Sequence, residues 1–325
     1  VRNPDYWRTD VWGRQLPYLD GIAFRPIPDE TTRLASVVSG TIDGMGSLRG
    51  ATVRDARMTE GLTLFEFQGN NSGGGMFNVL VPPYDDVRVR RGLTLMNNQE
   101  ATIEALGGKG ISTPATQFFS ADSNWYSQEV ADAYPSFDYE AGKALVQEYV
   151  DDPARSDEKA VGEKITVDFA CPPDPTLIAF ASVLEQLWTA SDLVEFNLSH
   201  ADQQTHINIA LGISNGFMGD HGVHCWRWSS QDDPSIALGD AFAGPWQASP
   251  LNFSNYSHPD ATVALAAALA TDDFEERRRQ YEIIGLIAAR DVPYWYTGGT
   301  ATVLAVDEKL TGLATWTTVD GALGS

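Results

Sequence analysis

Several groups of side chains in this sequence are of types that can do chemistry. Asp85 and Asp86 stand beside Arg88 and Arg90, a carboxylate pair with nearby cations such as general acid–base sites use. Their place at a predicted helix start favours another role, because a carboxylate there caps free backbone amides and the arginines can form structural ion pairs. His221 and His224 make an HxxH, with His200 and His206 upstream. Residues three apart on a strand point to opposite faces, so this spacing is poor for chelation. The chain holds no HExxH, cysteine cluster, EF-hand loop, GxSxG, P-loop or dinucleotide glycine fingerprint. No metal, cofactor or catalytic residue is therefore expected.

The segment HCWRWSSQDDP, His224 to Pro234, offers binding chemistry instead. Trp226 and Trp228 alternate along a predicted strand, share one face and can present flat apolar walls to a ligand. Ser230, Gln231, Asp232 and Asp233 follow as hydrogen-bonding and charged candidates. The same tryptophans would also serve a core, and Asp233 a turn or helix cap. In VPYWYTGG, Val292 to Gly299, Tyr294 and Tyr296 alternate against Trp295, so one set can face a cleft while the other packs. GNNSGGGMF, Gly69 to Phe77, supplies Asn70 and Asn71 as further hydrogen-bonders. Glycines there and at Gly298 and Gly299 tolerate the backbone changes of a hinge.

These candidates sit in a chain of 325 residues, 43% hydrophobic and 10% aromatic, a length that favours about two domains. No run approaches the ~18 consecutive apolar residues of a membrane helix. Acidic residues number 44 against 22 basic, a formal charge of -22, and tracking phosphates takes clustered Lys and Arg, so nucleic acid is not an expected partner. The basic run Arg277 to Arg279 follows Asp272, Asp273, Glu275 and Glu276 and reads as a solvated helix face with i to i+4 partners. Cys171 and Cys225 can pair in an oxidising compartment or remain two buried thiols.

The elements that must position these groups follow from periodicity. An extended segment is predicted at Ile22 to Ile27, a helix over Glu30 to Ser39, and alternation at Leu62 to Phe67 that the glycine-rich run breaks. Helices are predicted over Asp86 to Met96, Gln99 to Leu106, Tyr139 to Tyr149, Pro175 to Ala190 and Pro259 to Leu269. Strands are predicted at Ile165 to Ala170, Leu193 to Leu198 and Val223 to Trp228. A last helix, Asp273 to Arg290, starts under Thr271 or Asp272 and is stopped by Asp291-Val292-Pro293. Asp151 to Glu163 reads as an exposed loop. Strands alternating with helices define an α/β layer structure.

Five blocks, in this order, resemble landmarks of the extracellular solute-binding proteins of family 5, the dipeptide, oligopeptide and nickel type of ABC-importer receptor. They are RNPDYW (Arg2 to Trp7), PYLDGIAFRPIPDETTRLASVVSGTIDG (Pro17 to Gly44), VPPYDDVRVRRGL (Val81 to Leu93), SFDYEAGKALVQEY (Ser136 to Tyr149) and FEERRRQYEIIGLIAARDVPYWY (Phe274 to Tyr296). The resemblance implies a two-lobed, type II periplasmic-binding-protein-like fold of the dipeptide-binding-protein kind. Residues 1–62 are then part of lobe one, 63–296 form lobe two between two hinge crossings, and 297–325 return to lobe one. In the family the NPxYW turn lies well inside the first lobe. This chain is therefore expected to be a C-terminal fragment, with the N-terminal part of lobe one, and any export or lipid-anchoring signal, missing.

The function implied by the resemblance is capture without chemistry. An oligopeptide or other small organic solute is bound outside the membrane by lobe closure, with about -8 kcal/mol at micromolar affinity, and delivered to a membrane ABC permease. The expected station is periplasmic or cell-surface, and an N-terminal fragment of the same protein is a further expected partner. Ligand contacts are expected from Asn70, Trp226, Trp228, Ser230, Gln231, Asp232, Asp233, Tyr294 and Tyr296. In peptide-binding members an aspartate ahead of the DP pair holds the ligand's α-ammonium. Here Ser230 or Gln231 matches that position and carries no charge, which implies a neutral or differently anchored solute unless Asp232 or Asp233 substitutes. The alternatives are a hydrolase on the same architecture using Asp220, Asp232 and Asp233, and a solute sensor with no transport role.

Overall fold

Helices in this protein start mainly where a short polar side chain, most often an aspartate, can turn back and accept from the first free amides. The computed structural model describes residues 1–212, 221–229, 233–242 and 251–313. Along them run α1 (Glu30–Val38), β1 (Gly44–Ser47), α2 (Gly50–Arg57), β2 (Leu62–Phe77), α3 (Val87–Leu95), α4 (Gln99–Ala105), α5 (Gln128–Ala133), α6 (Tyr139–Val150), β3 (Ile165–Cys171), α7 (Pro175–Thr189), β4 (Val194–His200), α8 (Gln203–Leu211), β5 (Val223–Ser229), α9 (Pro234–Phe242), α10 (Pro259–Leu269), α11 (Phe274–Asp291) and β6 (Tyr294–Asp307). Asp29, Asp86, Asp138, Asp174, Asp202 and Asp273 cap α1, α3, α6, α7, α8 and α11. The α11 cap is thus Asp273 and not Thr271 or Asp272. Thr271 Oγ1 instead accepts from the Asp273 amide at 3.1 Å, fixing the approach to the cap.

The strands form one mixed sheet in the order β1-β6-β2-β5-β3-β4. β2 and β6 are its long members, antiparallel from Leu62 opposite Asp307 to Met76 opposite Tyr294. The first part of β2 and the last part of β6 lie beside β1, whose Gly44–Ser47 pairs with Val303–Val306. There Val37, Met45, Val53, Ala56, Ala301, Val303 and Ala305 make two small cores under α1 and α2. The other parts of the same two strands lie beside β5 and, beyond it, the parallel strands β3 and β4. Ile165, Val167 and Phe169 alternate inwards from β3 onto Phe180, Leu184 and Trp188 of α7, with Trp295 of β6 between them. On the opposite face Tyr294 and Tyr296 join Phe118, Tyr134, Tyr281 and Ile284.

Two expectations need correction. The glycine-rich run does not break the strand: Gly69–Phe77 continues β2. Glycine is required there by close approach, since a Cβ on Gly74 would sit 2.0 Å from the Trp295 carbonyl oxygen and one on Gly75 2.4 Å from the Trp295 ring. Ile22 to Ile27, expected to be extended, belongs to no strand among the described residues, and Ile22 and Phe24 are exposed. The Arg33 guanidinium pins its end by donating to the carbonyls of Ile27, Pro28 and Gly46. The loop expected at Asp151 to Glu163 is a mostly exposed loop, and it wraps around one buried cation: Arg155 donates to the carbonyls of Val150, Ala160 and Glu163 and pairs with Asp157 at 2.6 Å. Unpaired, that guanidinium would be costly to bury.

Cys171 and Cys225 form a disulfide, which settles the open alternative. The reason is register: Phe169 faces Val223 and Ala170 faces His224 across neighbouring parallel strands, so the next residues, Cys171 and Cys225, come side by side with Cα atoms 5.4 Å apart. With the cysteines 54 positions apart in sequence, the cross-link should raise unfolding free energy by about 4 kcal/mol on the chain-entropy scale. Urea unfolding with and without reductant measures this, and the Cys171→Ser/Cys225→Ser variant should unfold like the reduced protein.

Candidate functional site

Between the α1/α2 part and the α7/β5 part of the molecule lies a cavity of about 410 Å³. One side is the turn from β1 into α2, with Leu48, Arg49, Gly50 and Ala51. The other is the start of α7, with Asp174, Thr176, Leu177 and Phe180, joined by Gln203 and His206 of α8 and Cys225 and Trp226 of β5. Gly73 and Gly74 of β2 and Thr297 and Gly298 of β6 line it where the two long strands pass, with Thr102 and Ile103 of α4 and Leu106 just after that helix. Leucine, isoleucine and aromatic surface with a few hydroxyls and amides is the usual lining of a small-molecule site.

The wall beneath Trp226 is built from stacked rings. Trp226 packs on Phe253 at 4.6 Å and lies nearly parallel to His206, 6.1 Å away. His206 stacks on His224 at 3.7 Å, and His224 meets His221 edge-on at 4.6 Å. This corrects the HxxH expectation: His221 precedes β5, so strand alternation does not separate it from His224. The rings stack on one another, and the described residues hold no group of three or more His, Cys, Asp and Glu able to hold a metal ion. His206 Nε2 lies 3.1 Å from the Cys225 carbonyl, and His200 Nδ1 3.1 Å from that of Cys171. A carbonyl only accepts, so each of these nitrogens carries a proton. Burial holds His206 below the ordinary histidine range, partly offset by the Cys225 carbonyl. Burial, then the adjoining His221 and His206, hold His224 well below it.

Two opposite charges face each other across the cavity. Arg49 Nη2 lies 2.9 Å from Asp174 Oδ1, with both side chains about one-third exposed. Asp174 is fixed independently, because the same oxygen accepts from the amides of Thr176 and Leu177 at the α7 N-terminus. Arg49 is held through its backbone, whose amide donates to Ser47 Oγ, and that hydroxyl donates to Glu30.

Of the residues singled out in the sequence, Trp226 lines the cavity. Asn70 and Trp228 lie in β2 and β5, but their side chains are outside the described residues, as are Ser230, Gln231, Asp232 and Asp220 altogether. Tyr294 and Tyr296 are placed away from the cavity, 2% and 5% exposed in the aromatic core against Phe118. Both faces of β6 are covered at that point, so alternation did not mark a cleft face. Asp233 caps the start of α9 through Ser235 and pairs with Arg277, which also donates to Tyr281. Burial opposes its ionisation, but the bonds from Ser235 and Arg277 win and hold its carboxyl below the usual range. Arg277 is therefore a tether, while Arg279 stays on an exposed face with Glu276. Arg88 pairs with Asp86 and Asp152, and buried Arg90 donates to the carbonyls of Asp291 and Tyr84, both structural roles. In the sequence His206 stands out only beside the HxxH pair; missed altogether as cavity residues were Arg49, Asp174 and Phe180, of which Asp174, preceding Pro175, carried a signal as a helix cap.

A mixed α/β sheet with two strands running through both parts of the molecule and a cavity between those parts is the architecture of a type II periplasmic-binding protein. Solved structures with that fold align closely: the ABC transporter substrate-binding protein CtaP of Listeria monocytogenes (TM-score 0.74, 21% identity, 92% of this chain and 58% of that one) and DppA of Helicobacter pylori in complex with the peptide STSA (TM-score 0.74, 17% identity, 89% and 53%). The family of bacterial extracellular solute-binding proteins, family 5 Middle, matches residues 1–249, and the chain belongs to it. The dipeptide-binding protein of Escherichia coli (strain K12) is 25% identical over 285 residues, 83% of this chain and 48% of that protein. The chain thus spans about half the length of the curated relatives it matches.

The buried histidines make stability depend on pH. With the folded His224 below the ordinary value of 6.5, the unfolded chain takes up a proton that the folded one refuses. Stability should therefore fall as pH drops through and below about 6.5. Melting temperatures recorded from pH 7.5 to 5 should decline in the parent and decline less in His224→Phe. Parallel curves for the two would contradict this account.

Proposed function

We propose that the chain is part of a receptor that captures a peptide or other small organic solute outside the cytoplasmic membrane and delivers it to an ABC permease. The observation that carries this reading is the 410 Å³ cavity enclosed from two sides and floored by β2 and β6. Family membership supports the class, and relatives named for dipeptide and glutathione binding support a peptide-like ligand. The disulfide supports an oxidising, extracytoplasmic station, free or lipid-anchored.

Capture works by closure. The hinge is the pair of irregularities in the β2/β6 ladder, between Gln68 and Ser72 and between Gly73 and Gly74. Lobe one then takes β2 as far as Gln68, a few residues beyond the boundary expected at 62, and lobe two runs from about Ser72 to Tyr296. A ligand touching both lobes only when they meet shifts the equilibrium to the closed form by its differential affinity. Trp226 gives the ligand an apolar platform, and Ser230, Gln231 and Asp232 remain candidates to contact it. Asp233 is committed to Arg277 and α9, which removes one carboxylate from the hydrolase alternative and favours binding without turnover. Trp7, Trp12 and Phe24 are largely exposed, a surface suited to cover by a further part of the same protein.

Native and denaturing mass spectra of the full-length protein test the reading. A bound mass of several hundred daltons, lost on denaturation and released chemically unchanged, is the expected result. Calorimetry with that solute should give an affinity about tenfold weaker for Trp226→Ala, about 1.4 kcal/mol. A solute returned cleaved would reverse the choice between receptor and enzyme.

A further inference from the structure

Arg49 and Asp174 belong to opposite sides of the cleft. Arg49 stands between β1 and α2, and Asp174 between β3 and α7. Among the described residues their contact, at 2.9 Å, is the one ion pair that joins the part built on α1, β1 and α2 to the part built on β3, β4 and β5. The other polar links between these parts, from Arg54 and Arg57 to the carbonyls of Gly107 and Gly110 and between Thr113 and Gly299, involve the loop after α4 and not the α7 wall. Both charged side chains also line the cavity, and the other described residues lining it, apart from the histidine, bear no ionisable group, Cys225 being held in the disulfide.

We propose that Arg49 and Asp174 form a latch across the cleft, made when the two sides meet and broken when they part, which sets the closed fraction without any charge on the ligand. This rests on the closure reading above. Neither end collapses when the latch opens. Asp174 keeps its two amide donors as the cap of α7, and Arg49, a capping-position residue whose side chain makes no cap bond of its own, swings into water. Because the latch cancels its own charges, the closed cavity presents no net charge from these groups. A ligand carboxylate reaching this end must compete with Asp174 for the guanidinium, so the latch favours ligands uncharged there.

The test needs no ligand. Nitroxides at Glu60→Cys and Glu185→Cys, exposed positions on the two sides, report the distance across the cleft in the full-length protein by pulsed electron resonance. Arg49→Gln and Asp174→Asn are read against the parent; Asn caps a helix as well as Asp does, so α7 keeps its start. The expected result is a short and a long distance in the parent, with the short-to-long ratio reduced about three- to fivefold by either change. The double variant should match either single one, and 0.5 M salt should lower the ratio in the parent alone. A ratio that neither substitution moves, or additive effects in the double variant, overturns the latch while leaving closure standing. A single distance in parent and variants alike sinks closure itself and the latch with it.

Discussion

The antiparallel ladder between β2 and β6 is the constraint on which the rest of the molecule depends. Strands of 16 and 14 residues are about twice as long as the usual strand, and each serves two cores at once. Near Leu62 and Asp307 they back the small apolar clusters under α1 and α2; near Met76 and Tyr294 they are buried on both faces between α7 on one side and α5 and α11 on the other. A strand buried on both faces favours continuous apolar and aromatic side chains over alternation, in keeping with the run Tyr294-Trp295-Tyr296 opposite Gly74-Gly75-Met76. The glycines make room for the indole. Packing therefore dictates both sequences where the strands cross into the larger part.

Where the ladder is irregular, that dictation relaxes. Between Gln68 and Ser72 β2 advances four residues while β6 advances two, from Ala301 to Gly299. Extra residues of this kind bend a strand and raise its twist. Gly298 adopts φ +150, and a Cβ there would lie 2.8 Å from the Thr113 carbonyl oxygen, so no other residue fits without displacement. The cavity lies beside this point, with Gly73, Gly74, Thr297 and Gly298 in its lining.

Much of the fold was legible because local signals and tertiary needs agree. Asp86, Asp138 and Asp174 each precede an amphipathic run and each caps it; the net acidity is in part a consequence of starting helices this way. Helix α10 matched its predicted bounds, Pro259 and Leu269. The failures share a cause: one local signal with two physical meanings. Glycine reads as a breaker by propensity, yet in β2 it answers a steric demand made by Trp295. Thr271, Asp272 and Asp273 are all competent caps, and only the path of the chain selects the third. Tyrosines alternating with a tryptophan mark two faces without saying that both are buried. The cleft was half legible: Trp226 announced itself by its size and strand position, whereas Arg49 meets Asp174 only because two distant turns face one another.

The same distinction separates what is fixed in the cleft from what can move. The α7/β5 wall is cross-linked by Cys171–Cys225, each of whose carbonyls receives a histidine, and the stack His221–His224–His206–Trp226 fills the space behind it. Deforming that wall would expose or unstack rings whose neutral state depends on burial. Its partner, the β1–α2 turn, is tied to its own side by Ser47 and Glu30 and reaches across through one solvent-screened ion pair and a few bonds to the loop after α4. Screened contacts of that kind contribute little individually, so under the proposed closure they leave a small ligand enough leverage to decide between the two arrangements. A cross-linked wall facing a lightly held one is the division of labour that the proposed capture by closure requires.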